Sequence, residues 1–211
     1  MIAQLLDIVL RLDHHLMQVA LEYGVWVYGL LFLIIFCETG LVVTPFLPGD
    51  SLLFVAGAVA AAGAMDIHAM VLLLIAAAFL GNMLNFQVGR FVGPQVFRKR
   101  ESWFLKPEYL ERTHAFYERH GGKTIVLSRF IPILRTYAPF VAGIGQMSHR
   151  RFAMFNLTGG ILWVASLSYL GYFFGNLPVV KQNLGWVIIA IVVLSISPAI
   201  VEYLRQRLRS A

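Results

Sequence analysis

The fold of this chain depends on the stretch Arg129–Gly143, which reads RFIPILRTYAPFVAG. It is apolar enough to enter a lipid bilayer, yet it is interrupted by two arginines and two prolines: Arg129, Arg135, Pro132 and Pro139. An arginine at the centre of a bilayer costs about 2.5–3.5 kcal/mol on insertion scales, and a proline inside a helix costs about 3 kcal/mol. Irregular backbone is tolerated at membrane depth only where it is buried in protein or lines a cavity. We therefore expect residues 124–148 to form a re-entrant hairpin, with the two prolines and Gly143 as its hairpin-forming residues, that presents two guanidinium groups to an anion.

The composition of the whole chain is that of an integral membrane protein. Of its 211 residues, 59% are hydrophobic and 13% are charged, which departs strongly from average usage in soluble domains. The net charge of +6 comes from basic residues beside apolar segments. This placement is typical of cytoplasmic loops near anionic lipid and argues against a nucleic-acid-binding surface. Cys37 is the single cysteine, so we expect no internal disulfide and no thiol metal site, and we expect no cleaved signal peptide.

A second interrupted region lies at residues 25–64. Its two apolar runs, Val25–Phe36 and Leu52–Ala62, each contain about a dozen residues, whereas a helix that crosses a bilayer needs about 20. The Pro-Gly-Asp-Ser sequence before the second run predicts a turn followed by a helix that Asp50 or Ser51 caps. We therefore expect a first re-entrant hairpin here. Its hairpin-forming residues are Pro45, Pro48 and Gly49.

The remaining pattern divides a single membrane domain, residues 1–211, into helices that lie on, enter or cross the bilayer. Residues 1–24 have the periodicity of an amphipathic interfacial helix. Residues 90–123 form a basic segment that the positive-inside rule assigns to the cytoplasm. Three full transmembrane helices are predicted, and the C-terminus is expected in the cytoplasm. The predicted transmembrane helices are 68–89, 152–175 and 184–204.

The distribution of arginines indicates that the two hairpins enter the bilayer from opposite faces. A re-entrant segment 124–148 leaves Arg150 and Arg151 on the same side as the basic segment, whereas a crossing would separate them. The four-residue sequence Phe54–Gly57, FVAG, also recurs as Phe140–Gly143. The sequence therefore predicts an inverted repeat, of the kind that places a transporter's substrate site near the midplane of the bilayer.

The two hairpins contain four charged residues: Glu38, Asp50, Arg129 and Arg135. Arginines bind phosphate bidentately, and the helix N-termini expected after Asp50 and Pro139 add positive dipole ends. Desolvation favours the neutral form of a carboxylic acid, so Glu38 or Asp50 is a candidate proton carrier, although a close arginine opposes this. Alternatively, the four residues only pair with one another and hold the hairpins together.

Three asparagines are candidate lining residues of a polar cavity: Asn82, Asn85 and Asn156. Asn82 and Asn85 are three residues apart and therefore share one face of their helix, which we expect to face inward. No Ser-His-Asp arrangement and no metal-ligand spacing stands out in the sequence. We therefore expect a protein that is not an enzyme and that uses no catalytic residue, metal or other cofactor.

At these residues the sequence resembles the DedA family of bacterial inner-membrane proteins, which belongs to the wider group that shares the VTT (SNARE-associated) domain. The resemblance covers nearly the whole chain from about residue 25. It is carried by Glu38-Thr39-Gly40, PFLPGDSLL at 45–53, Gly89-Arg90, SRFIPILRTYAPFVAG at 128–143, Asn156 with Gly160 to Trp163, and Gly171, Tyr172 and Gly175.

The resemblance implies transport that depends on the proton motive force at a bacterial inner membrane. It implies that undecaprenyl phosphate is the substrate, recycled to the cytoplasmic leaflet, and that Glu38, Asp50, Arg129 and Arg135 are required. The expected partners are a lipid phosphate (a polyprenyl phosphate or a phospholipid), protons and the bilayer. The GxxxG at 171–175 also allows a homodimer. A proton-coupled small-cation antiporter, a phospholipid scramblase and a structural membrane factor remain alternatives.

Overall fold

The computed structural model describes residues 24–41, 49–98 and 122–175, together with 177, 178, 180 and 190. Within these residues the regular secondary structure is entirely helical, which confirms the predicted all-α class. The described helices are α1 (Trp26–Gly40), α2 (Gly49–Ala61), α3 (Ile67–Arg98), α4 (Pro132–Ile144) and α5 (His149–Phe174), and residues 122–128 are also helical. The predicted N-terminal helix, Pro45, Pro48, most of the basic segment and the predicted last transmembrane helix lie outside the described residues.

Two of the described helices are long and apolar enough to cross a membrane: Ile67–Gly93 within α3, and α5. By contrast, α1 and α2 have 15 and 13 residues. At 1.5 Å per residue, neither reaches across a hydrocarbon core of about 30 Å. The prediction of two short apolar helices between residues 25 and 64 is therefore confirmed, and their re-entrant path stays a prediction. The helix α3 continues past Arg90, where the sequence pattern ended the span, to Arg98.

The segment 124–148 is broken at Pro132 but not at Pro139. The helical residues 122–128 end in a turn at Arg129, and Ile131 has the extended backbone that a residue before proline favours. Pro132 then occupies the first turn of α4, where a missing N–H costs little. The expectation that Pro139 also breaks the segment is wrong, because Pro139 lies inside α4. The helix N-terminus expected after Pro139 is therefore at Pro132.

A side chain from α3 contacts the backbone of α4 beside its internal proline. Proline has no N–H, so a helix that contains one loses the hydrogen bond to the carbonyl four residues earlier. Asn85 donates from Nδ2 to the carbonyl oxygen of Thr136, three residues before Pro139, at 2.8 Å. This hydrogen bond connects α4 to α3 in the turn that contains the proline.

The described residues divide into two compact units. The first unit contains residues 24–34, 49–75 and 162–175, and the second contains 35–41, 76–98 and 122–161. In the first unit, α2 packs against the C-terminal part of α5. A Cβ atom added to Gly57 would overlap the carbonyl oxygen of Ser168, and one added to Gly171 would overlap the carbonyl oxygen of Phe54. The two backbones are therefore in direct contact.

In the second unit, α4 packs against the C-terminal part of α3 by the same pattern. A Cβ atom added to Gly143 would overlap the carbonyl oxygen of Phe86, and one added to Gly89 would overlap that of Phe140. One turn further on, Gly93 faces Ile144. The two FVAG segments therefore have the same function in packing, since each presents its phenylalanine carbonyl and its glycine to a glycine-containing long helix.

Each long helix contributes a GxxxG sequence to this contact. Gly175, directly after α5 and four residues beyond Gly171, faces Ala58 of α2, which corresponds to Gly93 facing Ile144 in the second unit. The GxxxG at 171–175 was predicted from the sequence as a contact site, and the one at 89–93 was not. Because α2 covers Gly171 and Gly175, this glycine pair is used within the chain and gives no support for the homodimer considered above. Small residues permit such close helix contacts in membranes.

Candidate functional site

Glu38 and Arg135 form a buried ion pair in the second unit. Arg135 donates from Nη2 to Oε1 of Glu38 at 2.6 Å, and the two side chains are 3% and 1% exposed. Glu38 lies in the last turn of α1, and Arg135 lies in the first turn of α4. Removing one partner of such a pair leaves an uncompensated buried charge and costs about 3–5 kcal/mol. For these two residues, the structure agrees with the alternative that the charged residues pair with each other.

Asn85 connects the two helix ends that carry this ion pair. Its Nδ2 donates to the carbonyl oxygen of Thr136 at 2.8 Å and to that of Thr39 at 3.4 Å. These carbonyls belong to the residues that directly follow Arg135 and Glu38 in sequence. Asn85 is fully buried, as the sequence pattern predicted. It therefore fixes the distance between the two backbone segments, and with it the distance between the two charges.

Arg129 is 1% exposed and lies in the turn before α4. Its Nη2 donates to Asn156 Oδ1, to the carbonyl oxygen of Asn156 at 3.2 Å and to that of Ala78 at 3.5 Å. Each of these acceptors is uncharged. Among the described residues, no carboxylate forms an ion pair with Arg129, and its Nε and Nη1 atoms have no hydrogen-bond partner.

Asn82 and Asn156 complete the surroundings of Arg129. Asn82 donates from Nδ2 to Asn156 Oδ1 at 3.0 Å, and Asn156 donates from Nδ2 to the carbonyl oxygen of Phe79 at 3.0 Å. With the Asn82 amide turned over, its oxygen accepts from Arg129 Nη2 at 2.9 Å and its nitrogen donates to Thr39 O at 3.2 Å. Both asparagines are buried. The polar residues expected to line a cavity therefore surround a buried cation.

A pair of glycines in α5 makes room for the Arg129 side chain. A Cβ atom added to Gly159 would lie 2.9 Å from Arg129 Cδ and 3.2 Å from Nε. One added to Gly160 would lie 3.6 Å from Nη2. Gly159 was not predicted to belong to the site. Its position three residues after Asn156 could have indicated it, because residues three apart on a helix share a face.

Asp50 belongs to the first unit, whereas the other three charged residues belong to the second. Trp163 is buried and donates from its indole Nε1 to Asp50 Oδ1 at 2.8 Å. The helix α2 begins at Gly49, so Asp50 lies within its first turn and does not cap it as expected. A carboxylate in this position is stabilised by the helix dipole. Trp163 is a second residue that the sequence analysis did not assign to the site.

Within the described ranges, no group of three or more His, Cys, Asp or Glu side chains is placed to hold a metal ion. The site consists instead of buried arginines and a carboxylate at the ends of short or interrupted helices, together with buried asparagines of the long helices α3 and α5. Buried ionisable groups at such positions are typical of proteins that provide a polar path through a membrane. The fold and the site therefore define an integral membrane protein with a polar interior site.

Comparison with known proteins identifies the family. The model of the VTT domain matches residues 47–173. The chain is 53% identical over 209 residues to Protein DedA of Escherichia coli K12, with 98% of this chain and 95% of the relative covered. It is 44% identical over 168 residues to an uncharacterized membrane protein of Mycobacterium leprae (80% and 75% covered). It is 40% identical over 154 residues to Inner membrane protein YqjA of Escherichia coli K12 (72% and 69% covered).

The chain belongs to the DedA family of membrane proteins that contain the VTT domain. The resemblance noted in the sequence is thus confirmed. Two of these relatives are named as membrane proteins, one of them, YqjA, as an inner-membrane protein. None of the three names describes an enzymatic activity. No solved structure matches the chain.

Proposed function

We propose that this protein is a flippase for a lipid phosphate, linked to the proton motive force, and that it recycles undecaprenyl phosphate or a related polyprenyl phosphate across the bacterial inner membrane. The observation that carries the proposal is Arg129, a buried cation whose acceptors among the described residues are all uncharged. A buried charge is costly unless it is paired. A phosphate head group supplies the negative charge and the acceptor oxygens that Arg129 lacks.

Arg135 is the second phosphate ligand in this proposal. In the structure it pairs with Glu38, and in this proposal the phosphate takes the place of that carboxylate. Arginine binds phosphate with charge-assisted hydrogen bonds in a planar, bidentate geometry. The isoprenoid tail stays in the lipid, and only the head group needs the polar site.

The ion pair between Glu38 and Arg135 provides a mechanism for proton coupling. Protonation of Glu38 on the acidic side removes its charge and releases Arg135, which then binds the phosphate. Loss of the proton on the cytoplasmic side restores the Glu38 carboxylate, which competes with the phosphate for Arg135 and favours release. A proton and a lipid phosphate then move inward together. Asp50, held by Trp163, is the alternative proton carrier.

Reconstitution into liposomes tests the proposal. A fluorescent polyprenyl phosphate is placed in both leaflets, and a membrane-impermeant quencher reports leaflet exchange with and without a pH gradient. We expect exchange with the wild-type protein, loss of exchange in Arg129→Ala and in Arg135→Ala, and retention in Arg150→Ala, which removes an exposed arginine of α5. Exchange no faster than in empty vesicles would contradict the proposal, and exchange that ignores the gradient would indicate a scramblase.

A proton-coupled cation antiporter is the second candidate, and one observation favours it. Asn85 Oδ1 is buried and has no hydrogen-bond partner among the described residues. The Asn85 amide nitrogen meanwhile contacts the carbonyl of Thr39, next to Glu38. Carboxylate, amide and carbonyl oxygens are the ligands that hard cations take. Cation flux that disappears in Glu38→Gln, with lipid phosphate binding intact, would favour this function.

A further inference from the structure

The hydrogen-bond acceptors around Arg129 are all uncharged, a feature that the proposed function does not by itself explain. Asn156 contributes two acceptors, its side-chain Oδ1 and its backbone oxygen, and Asn82 contributes a third when its amide is turned over. An aspartate at either position has nearly the same shape and would form an ion pair with the guanidinium. Amides occupy both positions, so the side chains that contact the guanidinium are neutral.

We propose that Asn82 and Asn156 form a neutral cradle that fixes the position of Arg129 and leaves its positive charge uncompensated, so that the site binds an anionic phosphate head group. In this inference, which rests on the function proposed above, Asn156 is the principal positioning residue. It acts through Arg129 and does not itself need to touch the phosphate.

Electrostatics explains why a neutral cradle favours anion binding. When every hydrogen-bond partner of the guanidinium is neutral, an incoming phosphate brings the buried site closer to charge balance. When a carboxylate already pairs with the guanidinium, an incoming phosphate adds uncompensated negative charge in a medium of low dielectric. The substitution of an amide by a carboxylate therefore converts a binding site into a closed structural ion pair.

The hydrogen bonds of Asn156 also explain how the Arg129 guanidinium is held in position without being neutralised. Its Nδ2 donates to the carbonyl oxygen of Phe79, which orients the amide so that Oδ1 faces Arg129. On the same helix, Gly159 leaves the space that Cδ and Nε of Arg129 occupy. The Arg129 side chain is thus held by an amide and by the α5 backbone, and neither contact removes its charge.

The cradle is also connected by a hydrogen bond to the helix end that carries the Glu38–Arg135 ion pair. In its turned orientation, the Asn82 amide donates to the carbonyl oxygen of Thr39 at 3.2 Å, directly after Glu38 in the chain. The same carbonyl accepts a hydrogen bond from Asn85. The neutral amides therefore connect Arg129 to the helix end that carries Glu38, which keeps both arginines in one polar network without adding a second carboxylate.

The test uses the full-length protein in nanodiscs of neutral lipid. Binding is measured for a short-chain polyprenyl monophosphate and for the matching uncharged alcohol, and thermal unfolding is followed for each variant. The variants are Asn156→Asp, Asn82→Asp and Gly159→Ala. Gln87→Glu is the matched control, because it makes the same change from amide to carboxylate at an exposed position of α3.

We expect Asn156→Asp to lower phosphate affinity by about tenfold or more, because it removes charge-assisted bonds to the ligand, with alcohol binding unchanged. Its melting temperature changes little, because the ion pair that Arg129 gains offsets the lost hydrogen bond to the carbonyl oxygen of Phe79. Gly159→Ala lowers phosphate affinity through displacement of Arg129, and Gln87→Glu changes neither property.

Phosphate affinity at the wild-type level in both aspartate variants would overturn the inference and leave the proposed function standing. A large drop in melting temperature in both variants would also overturn it, since the introduced carboxylate would then fail to pair with Arg129. Absence of phosphate binding by the wild-type protein would instead contradict the proposed function itself.

Discussion

Arg135 and Glu38 are 97 residues apart in the chain, yet their side chains meet at 2.6 Å in a site that solvent hardly reaches. The contact joins the last turn of α1 to the first turn of α4, both of which are ends of helices too short to cross a bilayer. A buried pair of this kind is weak evidence for stability as such, since apolar residues often replace it at little cost. In the proposed function, this pair has a role in the proton-coupled release of a ligand.

The ion pair predicts an asymmetry between single and double substitutions. We expect Arg135→Ala and Glu38→Ala each to destabilise the protein by about 3–5 kcal/mol, because each leaves one buried charge unpaired. The double variant should lose much less than the sum, since no charge remains unpaired. Thermal or chemical unfolding in detergent measures this, with Arg150→Ala as the exposed control. Additive losses would show that the two side chains do not interact in the membrane protein.

Glu38→Gln separates charge from shape in the transport cycle. Glutamine keeps the size of the side chain but cannot change its charge, so Arg135 is never recaptured by a carboxylate. We expect leaflet exchange that no longer responds to a pH gradient. Exchange assays in liposomes with imposed gradients of either sign measure this effect. If the exchange depends on the gradient as in the wild type, Asp50 and not Glu38 is the proton carrier.

Asn85 is predicted to be a structural requirement of α4. In Asn85→Ala, the carbonyl oxygens of Thr136 and Thr39 each lose a buried hydrogen bond, and we expect a total loss of about 1–3 kcal/mol in unfolding free energy. The matched control is Gln87→Ala on an exposed face of the same helix, which should change little. Equal effects of the two substitutions would mean that water replaces the Asn85 amide.

The backbone contacts of the repeated segments predict matched effects in the two units. Gly89→Val and Gly171→Val both place a side chain against a phenylalanine carbonyl, so each should destabilise the protein by about 3 kcal/mol or more. Gly29→Ala is the control, because no atom lies within 4 Å of a Cβ added there. Expression level and thermal unfolding report the outcome. Tolerance of only one of the two valines would show that the packing is not equivalent.

The indole of Trp163 is predicted to stabilise the carboxylate of Asp50. Trp163→Phe removes the donor to Asp50 Oδ1, and we expect a loss of about 1.5–3 kcal/mol, the range for a hydrogen bond to a charged group. Part of this loss reflects the smaller ring. The same substitution in an Asp50→Asn background should therefore cost less, and the difference between the two measurements isolates the hydrogen bond.

Much of the architecture was predictable from the order of apolar segments. Helix length and hydropathy depend on local sequence, so the two short helices before residue 64 and the span within 149–174 could be read from the chain. The burial of Asn82 and Asn85 followed from their spacing on one helix face. The recurrence of FVAG indicated an inverted repeat, whereas the equivalent packing of its two copies is visible only in the structure.

Other features depended on contacts between residues distant in sequence. Pro139 has the local chemistry of a helix breaker, and it lies inside α4, where Asn85 of α3 donates to the carbonyl of Thr136 in the preceding turn. The pairing of Glu38 with Arg135, and the neutral surroundings of Arg129, are likewise absent from any local pattern. Composition and periodicity predict which residues are buried, because hydrophobicity is a property of each residue. Which buried groups meet is set by the packing of whole helices, because a hydrogen bond or an ion pair requires two specific side chains to arrive within about 3 Å of each other.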